Sequence, residues 1–331
     1  MSGWHASNQA LGKTHHFIIV YDQTRHQEIT RTEVQSAARQ DVAKAFPLIA
    51  NAGVSGFKTS FKLSPQYAED NIQIVSRWTD DPAGNGEAVD YWFGPVQKQN
   101  RGYLESWQIS SGHLEVHAWH ANDASIYEPY HYLILFDNTT GRQVSAIQVQ
   151  NTASNDVAKA YGDTRSANRA RFSGTFDQAH LIAGHTYSLV SRYSATNGGN
   201  GDNGKAADHT DYWFSLGTLN GSAYNIDGWS NDGTTLTVNG WFANDQSLTH
   251  QYPYVILLAD GKEIGRKAVK LTARQDVANA YPQLANSLNS GFTVSFDAPQ
   301  GVQNNLQLVL RFANTTNGEG DHQDIWTPTY T

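Results

Sequence analysis

The stretch DVAKAFPLIANAGVSGF, residues 41–57, recurs twice more along the chain and decides how the sequence is organised. It returns as DVAKAYGDTRSANRARF at 156–172 and as DVANAYPQLANSLNSGF at 276–292, and the first Asp and last Phe are 16 residues apart each time. A spacing this constant is typical of an internal repeat. The chain is therefore a tandem array.

The same landmarks follow each copy of this stretch. A second Phe comes four residues later, an Arg closes an apolar run, and an Asp and a Trp end the repeat in the strings DYWF, DYWF and DIWT. These landmarks are Phe61, Arg77, Asp90 and Trp92, then Phe176, Arg192, Asp211 and Trp213, then Phe296, Arg311, Asp324 and Trp326. They predict three domains, repeat 1 at 1–97, repeat 2 at 98–218 and repeat 3 at 219–331.

Composition excludes several classes of function. Only 16% of the 331 residues are charged, the net charge is -8, and no cluster of Lys and Arg offers a footprint for nucleic acid. The chain has no cysteine, so neither disulfides nor thiolate metal sites can form. Its longest apolar runs, such as YVILLA at 254–259, have the length of a strand, and we expect no insertion into a membrane.

Short β-branched and aromatic runs separated by turn signals predict an all-β fold. In repeat 1 these runs are HHFIIVYD at 15–22, FKTSFKL at 57–63, IQIVSRW at 72–78 and VDYWF at 89–93. Seven or eight such strands in each repeat predict an Ig-like β-sandwich. One short helix is expected in each, with its N-cap at Asp41, Asp156 or Asp276.

A second spacing predicts that repeat 1 lacks its first strand. Trp107 lies twelve residues before Trp119, and Trp229 lies twelve residues before Trp241. Repeat 1 has Trp4 in the place of Trp119 and Trp241, so the matching partner would precede the first residue. We expect the sequence to be a piece of a longer protein.

The recurring Arg, Asp and Trp form the sharpest candidate site. Strand alternation places the Arg on the face opposite the core residues, and it places the Asp and the Trp on one face of the next strand. Such a set can bind a sugar, because indole stacks on a pyranose ring while the charged groups bond its hydroxyls. The interpretation that the repetition favours is a clamp that braces each sandwich. The candidate residues are Arg77, Asp90, Trp92, Arg192, Asp211, Trp213, Arg311, Asp324 and Trp326.

Other patterns give no sign of catalysis or of a cofactor. No nucleophile elbow, phosphate-binding Gly loop, dinucleotide fingerprint or HExxH motif occurs, and we expect the histidines to be surface or strand residues. The loops NGGNGDNGK at 197–205 and NGEGDHQD at 317–324 resemble calcium loops faintly but lack the regular acidic ligands. We expect no enzyme activity, no metal and no cofactor.

The pattern RQDVAxAYPxxANSxxSGF, followed by SRY or LRF, NGxG and DYWF, resembles a known type of repeat. It is similar to the tandem extracellular repeats of secreted and surface proteins of lactobacilli and related lactic acid bacteria, including those attached to cell-wall hydrolases. The resemblance covers all three repeats and is most specific in repeats 1 and 3. Repeat 2 departs from the pattern with SND for RQD and Gly162 for the Pro.

The resemblance implies a region that holds its host protein on the bacterial cell wall. The expected partner is peptidoglycan, a wall polysaccharide or teichoic acid, bound by several weak carbohydrate contacts. The expected localisation is secreted and associated with the cell wall, and we expect a monomer. Two alternatives remain open, an adhesin for host glycoprotein and a glucan-binding accessory region of an extracellular enzyme.

Overall fold

A computed structural model describes residues 1–64, 67, 70–110, 112–177, 179–199, 209–298 and 305–330. These residues form mostly β-strands, with short helices between them. The chain divides into two compact units, Met1–Gln99 and Asn100–Thr331. Among the helices of the described ranges, none has the length and apolar character needed to cross a membrane.

The first unit contains repeat 1. Its strands are β1 (Ser2–Trp4), β2 (His15–Asp22), β3 (Gln27–Glu33), β4 (Gly56–Lys58), β5 (Ile72–Thr79) and β6 (Ala88–Pro95), and its α-helix is α1 (Gln40–Ala45). Short 3-10 helices lie at Asn8–Ala10 and Ala52–Val54.

The second unit contains repeats 2 and 3. The strands of repeat 2 are β7 (Asn100–Ser110), β8 (His113–Asn122), β9 (Tyr130–Asp137), β10 (Arg142–Gln148), β11 (Arg171–Phe176), β12 (Thr186–Ser194) and β13 (His209–Thr218), with helix α2 (Asn155–Ala160). Those of repeat 3 are β14 (Ser222–Asn231), β15 (Thr235–Asn244), β16 (Tyr252–Ala259), β17 (Lys262–Ala268), β18 (Thr272–Ala273), β19 (Asn289–Asp297), β20 (Leu306–Ala313) and β21 (His322–Trp326), with helix α3 (Gln275–Ala280). Further 3-10 helices lie at Asp123–Ile126, Ala167–Arg169 and Asp245–Leu248.

Each repeat pairs a four-stranded antiparallel sheet with a second sheet. The four-stranded sheets have the orders β3-β2-β5-β6, β10-β9-β12-β13 and β17-β16-β20-β21. Their partner sheets have the orders β1-β4, β11-β8-β7 and β14-β15-β19-β18. In repeat 3 the connections are those of an immunoglobulin-like sandwich, with an ABED sheet against a C′CFG sheet. The predicted all-β, Ig-like sandwich architecture is confirmed.

The core of each sandwich lies between its two sheets. In repeat 2, Leu114 and Val116 from β8 pack with Leu133 and Leu135 from β9, and all four side chains are fully buried. Alternate residues on a strand point to one face, so the spacing of two places these pairs together. Burial of such side chains contributes roughly 1.5–3 kcal/mol each. This core compensates for the absence of disulfides.

Repeats 2 and 3 are in contact inside the second unit. The N–H of Ile109 donates to the carbonyl of Pro282 at 3.1 Å, and Ala285 of repeat 3 belongs to the apolar cluster of repeat 2. Leu219, in the connection between β13 and β14, is 3% exposed. The sequence boundary at 218/219 therefore lies within one compact unit, and the three domain ranges stay a prediction from the sequence.

The recurring Asp residues do not occupy the predicted N-cap positions. Each α-helix begins one residue before the recurring Asp, and none of the residues at the N-cap makes a side-chain capping bond. Asp41 lies in the first turn, and its carboxylate accepts two hydrogen bonds from Arg39 at 2.8 and 2.5 Å. These bonds lower the pKa of Asp41 to about 2. The carboxylate thus binds a guanidinium from within the first turn, and Arg39 occupies the N-cap position instead of an Asp.

Strand β4 is shorter than the sequence predicts. The run 57–63 was expected to be one strand, but β4 covers only Gly56–Lys58. Its partner β1 pairs Ser2 with Lys58, and the last hydrogen bonds between the two segments join Met1 to Thr59. The matching strands β11 and β19 are longer because β8 and β15 extend beside them. A strand without a neighbour loses its inter-strand hydrogen bonds.

We expect a broad-specificity protease to cut first within 96–99. Val96 is 51% exposed and lies outside β6. The connection of β13 to β14 should resist cleavage because Leu219 is buried and its main chain bonds to His185 and Gly184. Mass spectrometry of the early fragments checks this. A cut within 219–221 that precedes any cut at 96–99 would contradict it.

Candidate ligand-binding face

The recurring Arg and Asp form the same bidentate ion pair in all three repeats. Arg77 and Asp90 are register partners on β5 and β6. Nε of Arg77 donates to Oδ1 of Asp90 at 2.7 Å, and Nη2 donates to Oδ2 at 2.6 Å. The same atoms join Arg192 to Asp211 at 2.6 and 2.7 Å and Arg311 to Asp324 at 2.7 and 2.8 Å.

A loop carbonyl completes the coordination of each guanidinium. Nη1 of Arg77 donates to the carbonyl of Gly84 at 3.1 Å. Gly84 has φ +80°, and a Cβ there would lie 3.3 Å from the ring of Phe17. The position thus requires glycine, both for its left-handed backbone and for its close approach to an aromatic ring. The counterparts of Gly84 are Gly199 against Tyr132 and Gly318 against Tyr254, with carbonyls 3.1 and 2.9 Å from their Arg residues.

These bonds make the Arg and Asp a clamp. Side-chain exposure is 24% and 23% in the pair of repeat 1, and it falls to 10% and 15% in the pair of repeat 3. Three of the five guanidinium N–H groups already have protein acceptors, and the fork geometry matches the carboxylate. The pair holds the last two strands and their connecting loop together. It leaves little of its hydrogen-bonding capacity for a ligand.

The Trp residues, in contrast, are open to solvent. Trp92, Trp213 and Trp326 are 44%, 52% and 57% exposed. Each lies two residues beyond the clamp Asp, on the same face of the strand, and each has a Val as its register partner: Val75, Val190 and Val309. All nine candidate residues thus lie at equivalent register positions of the four-stranded sheets.

Stacking of Arg on Trp, however, is absent from the described residues. The cation–π contacts there involve Arg25 and Arg101, and no clamp guanidinium lies over an indole. In repeats 1 and 2 the Trp packs edge to face with an aromatic neighbour instead. Tyr21 and Trp92 have ring centroids 5.1 Å apart, and Phe136 and Trp213 have theirs 5.4 Å apart.

This outer face, the side of the four-stranded sheet turned away from the sandwich core, carries an apolar strip beneath the Trp. In repeat 1 the buried side chains of Phe17, Ile19 and Val75 form a cluster with Tyr21 packed against it. Repeat 3 has the corresponding cluster of Tyr254, Ile256, Leu258 and Val309. Beside the strip, each indole keeps about half of its surface exposed. The outer face can therefore stack on a flat, partly apolar ligand.

Sequence reasoning missed a buried network of histidines in repeats 1 and 2. Oγ of Ser76 lies 3.1 Å from Nδ1 of His5 and 2.7 Å from Nε2 of His16. Both rings are buried; His16 lies in strand β2, as the sequence allows, and His5 directly follows β1. Repeat 2 has the same arrangement, with Ser191, His120 and His131 at 2.8 and 2.7 Å. The recurring strings WHA and SRW or SRY were the signal for this network.

Burial keeps these histidines neutral. It lowers the pKa of His16 and of His131 to about 4, and it also lowers the pKa of His5 and of His120. Repeat 3 lacks the network, because Phe242, Pro253 and Leu310 stand at the corresponding positions. Repeat 3 is thus a natural control for the effect of acid.

Metal ligands do not assemble in the described part of the chain. No three side chains of His, Asp or Glu are grouped there so that they could hold an ion. In the loop at 317–324, Asp324 is occupied by Arg311. The loop at 197–205 was the other faint calcium candidate, and its residues 200–205 lie outside the described residues.

Replacement of the clamp Asp should destabilise the repeat that carries it. We expect Asp211→Asn to lower the free energy of unfolding of repeat 2 by about 1–3 kcal/mol, because the half-buried guanidinium of Arg192 loses a charged acceptor. Chemical denaturation of the full chain measures this. The control Asp177→Asn alters a side chain that is 81% exposed and should change stability by less than about 0.5 kcal/mol. Equal effects of the two changes would contradict the clamp.

Acid should weaken repeats 1 and 2 but not repeat 3. A folded-state pKa below the ordinary 6.5 means that the unfolded chain binds more protons, so stability is full above pH 6.5 and falls as the pH drops towards about 4. The loss is roughly 3 kcal/mol for each fully buried histidine. Hydrogen exchange at pH 7 and 4.5 checks this, with the core of repeat 3 as reference. Parallel weakening of all three repeats would count against the network.

Comparisons with known proteins find only distant likenesses. No protein-family model matches the sequence, and no curated protein matches it. A DUF3823 family protein from Bacteroides ovatus is 9% identical over 68% of this chain and 91% of its own, with a TM-score of 0.21. A tetra-tandem repeat from the extending region of a large adhesion protein is 9% identical over 95% of this chain and 66% of its own, with a TM-score of 0.25. Extracellular domains 3–5 of Drosophila OTK are 8% identical over 98% and 90%, with a TM-score of 0.20. Likenesses this weak assign neither function nor ligand.

Proposed function

We propose that the chain is a non-catalytic, wall-associated region of a secreted protein and that it binds a bacterial cell-wall polymer. One observation carries the proposal: a half-exposed Trp stands at the same register position of the same strand in every repeat. The polymer is peptidoglycan, a wall polysaccharide or teichoic acid. The resemblance of the sequence to extracellular repeats of lactic acid bacteria supports the same role.

The exposure of these indoles favours binding over bracing. A Trp that only stabilised the sheet would gain most from full burial, since buried apolar surface contributes roughly 25 cal/mol per Å². Trp92, Trp213 and Trp326 instead keep about half of their surface in water. Aromatic faces of this kind stack on the C–H faces of pyranose rings, while the indole N–H can bond a hydroxyl.

The Arg and Asp of the clamp position the Trp side chain. Arg77 and Asp90, and their counterparts, satisfy each other and so keep the last strand in register. We propose that they position the indole. Only the guanidinium N–H groups without a protein acceptor would then contact a sugar directly. We propose a division of labour in which the charged pair braces the fold and the Trp contacts the ligand.

Charge favours a neutral ligand surface. The net charge is -8, so long-range attraction to anionic teichoic acid is weak. Stacking and hydroxyl contacts should dominate, and these depend little on salt. We therefore expect retention on walls to change little between low and moderate ionic strength.

Three copies of one weak site also suit a polymer. A shallow polar site binds weakly, and linkage of several sites raises avidity by about 10² to 10⁴ when the geometry allows simultaneous contact. A repetitive polymer offers many equivalent ligands to such an array. The array needs no second subunit for this, and we propose that the chain acts as a monomer.

The Trp residues should control retention on walls. We expect Trp92→Ala, Trp213→Ala and Trp326→Ala to lower retention stepwise, and the triple variant to bind at least tenfold more weakly. A pull-down of labelled chain on purified walls measures this, with thermal unfolding measured on the same samples. The matched control is Tyr103→Ala, which removes an aromatic side chain that is 61% exposed on the other sheet.

Several outcomes would contradict the proposal. If retention falls only in variants whose repeat unfolds, the Trp residues stabilise the fold and do not contact the ligand. Unchanged retention of the triple variant would show that the Trp residues are not the binding site. Absence of retention on every wall preparation would contradict the proposed wall binding. Parallel arms with mucin and with glucan test an adhesin for host glycoprotein and a glucan-binding accessory region.

A further inference from the structure

A small cavity lies at the joint between repeats 2 and 3, and both repeats supply its walls. Its volume is about 190 Å³, roughly six times the volume of one water molecule in the liquid. Strand β7 forms one wall, and helix α3 with the loop after it forms the other. We call it the joint cavity, and the residues that line it include Gln108, Ile109, Ser110, Gln275, Ser287 and Leu288.

Hydrogen bonds across the joint hold the two walls in place. The N–H of Ile109 donates to the carbonyl of Pro282 at 3.1 Å. The carboxylate of Asp245 is buried and accepts hydrogen bonds from the N–H of Gly221 at 2.8 Å and of Ala285 at 3.1 Å. It thereby ties the connection between the repeats to the loop that forms one wall. Because the cavity is formed in advance, a ligand has little protein structure to order when it binds.

The buried hydroxyl of Ser287 is the observation that points to a ligand. Ser287 is 2% exposed and lines the joint cavity, and its Oγ has no hydrogen-bond partner among the described residues. A buried hydroxyl that makes no hydrogen bond destabilises a fold. The equivalent residues of repeats 1 and 2 are Ala52 and Ala167, which are 2% and 3% exposed. The fold itself therefore does not require a hydroxyl at this position.

The other lining groups favour a neutral ligand that has both polar and apolar surface. Gln108 and Gln275 use their amide nitrogens in bonds to neighbouring side chains, so their amide oxygens can accept from a ligand. Ser110 adds a second hydroxyl, whereas Ile109 and Leu288 add apolar surface. The lining residues that the structure describes carry no charge. An ionic ligand would therefore lose its hydration without gaining a charged partner.

We propose that the joint cavity binds one neutral sugar residue. A pyranose has hydroxyls for Ser287, Ser110 and the amide oxygens, and it has C–H faces for Ile109 and Leu288. The cavity is smaller than the roughly 300–1,000 Å³ of sites for larger ligands, so it admits a single ring. The ring is a free monosaccharide or the end residue of a glycan chain. The inference does not rest on the proposed wall binding, because the joint cavity and the outer faces share no residue.

A titration of the isotope-labelled full chain with glucose and with galactose, followed by NMR, tests the proposal. We expect saturable shifts of the amide signals of Gln108–Ser110 and Ala278–Leu288, with half-saturation at about 1–10 mM. Glucuronate and galacturonate are the same rings with a carboxylate, and they should bind at least about fivefold more weakly. A trisaccharide of the sugar that binds separates the two sources. Binding as tight as that of the monosaccharide supports a chain end, and binding of the monosaccharide alone supports a free sugar.

Replacement of Ser287 separates a role in binding from a role in folding. We expect Ser287→Ala to bind the sugar at least about fivefold more weakly, because a ligand hydroxyl loses its partner. Its thermal unfolding should be unchanged, because alanine is buried at the same position of repeats 1 and 2. The matched control Ser60→Ala changes an exposed serine of repeat 1 and should alter neither property.

Four results would overturn the proposal. If about 100 mM sugar shifts no signal near the joint, the cavity holds solvent only. Equal binding of the neutral and the charged rings would contradict a neutral site. Unchanged affinity of Ser287→Ala, or a lower unfolding temperature, would show that its hydroxyl does not serve a ligand. Shifts confined to the indole N–H signals of Trp213 and Trp326 would assign the sugar to the outer faces, which distinguishes failure of this site from failure of the proposed function.

Discussion

The bidentate contact of an Arg with an Asp on the next strand is the constraint on which each four-stranded sheet depends. It fixes the register of the last two strands, and through the loop glycine it also fixes the connection between them. A slip of one residue would turn Trp92 to the core side and Tyr91 outward. The exposure of the indole is thus a consequence of the ion pair, although the two side chains do not stack.

The three interiors vary more than the three outer faces. Repeats 1 and 2 join their sheets through a His, Ser and His network, whereas repeat 3 has Phe242, Pro253 and Leu310 in the same positions. An interior can exchange a polar network for apolar packing when all members change together. The outer face retains its Arg, Asp, Gly and Trp throughout. A clamp explains the first three, but stability alone does not require a half-exposed Trp.

Local patterns predicted the fold class and the pairing of Arg with Asp, because strand alternation and a shared register suffice for both. The interactions that join distant segments were not predictable in this way. His5 meets Ser76 across 71 positions of sequence, and a lone His in a strand looks the same whether it is paired or solvated. The N-cap prediction was wrong because α1 begins at Gln40, which places Asp41 in the first turn, where its carboxylate binds Arg39.

The joint between repeats 2 and 3 limits how their two outer faces can act together. Only three residues connect β13 to β14, Leu219 among them is buried, and Ile109 bonds to Pro282 across the joint. A flexible linker would let each site find a ligand unit independently, at an effective concentration set by the length of the linker. A packed joint holds Trp213 and Trp326 at one separation instead. Under the proposed function, a polymer whose repeat spacing matches that separation would engage both sites, whereas one whose spacing differs would engage a single site.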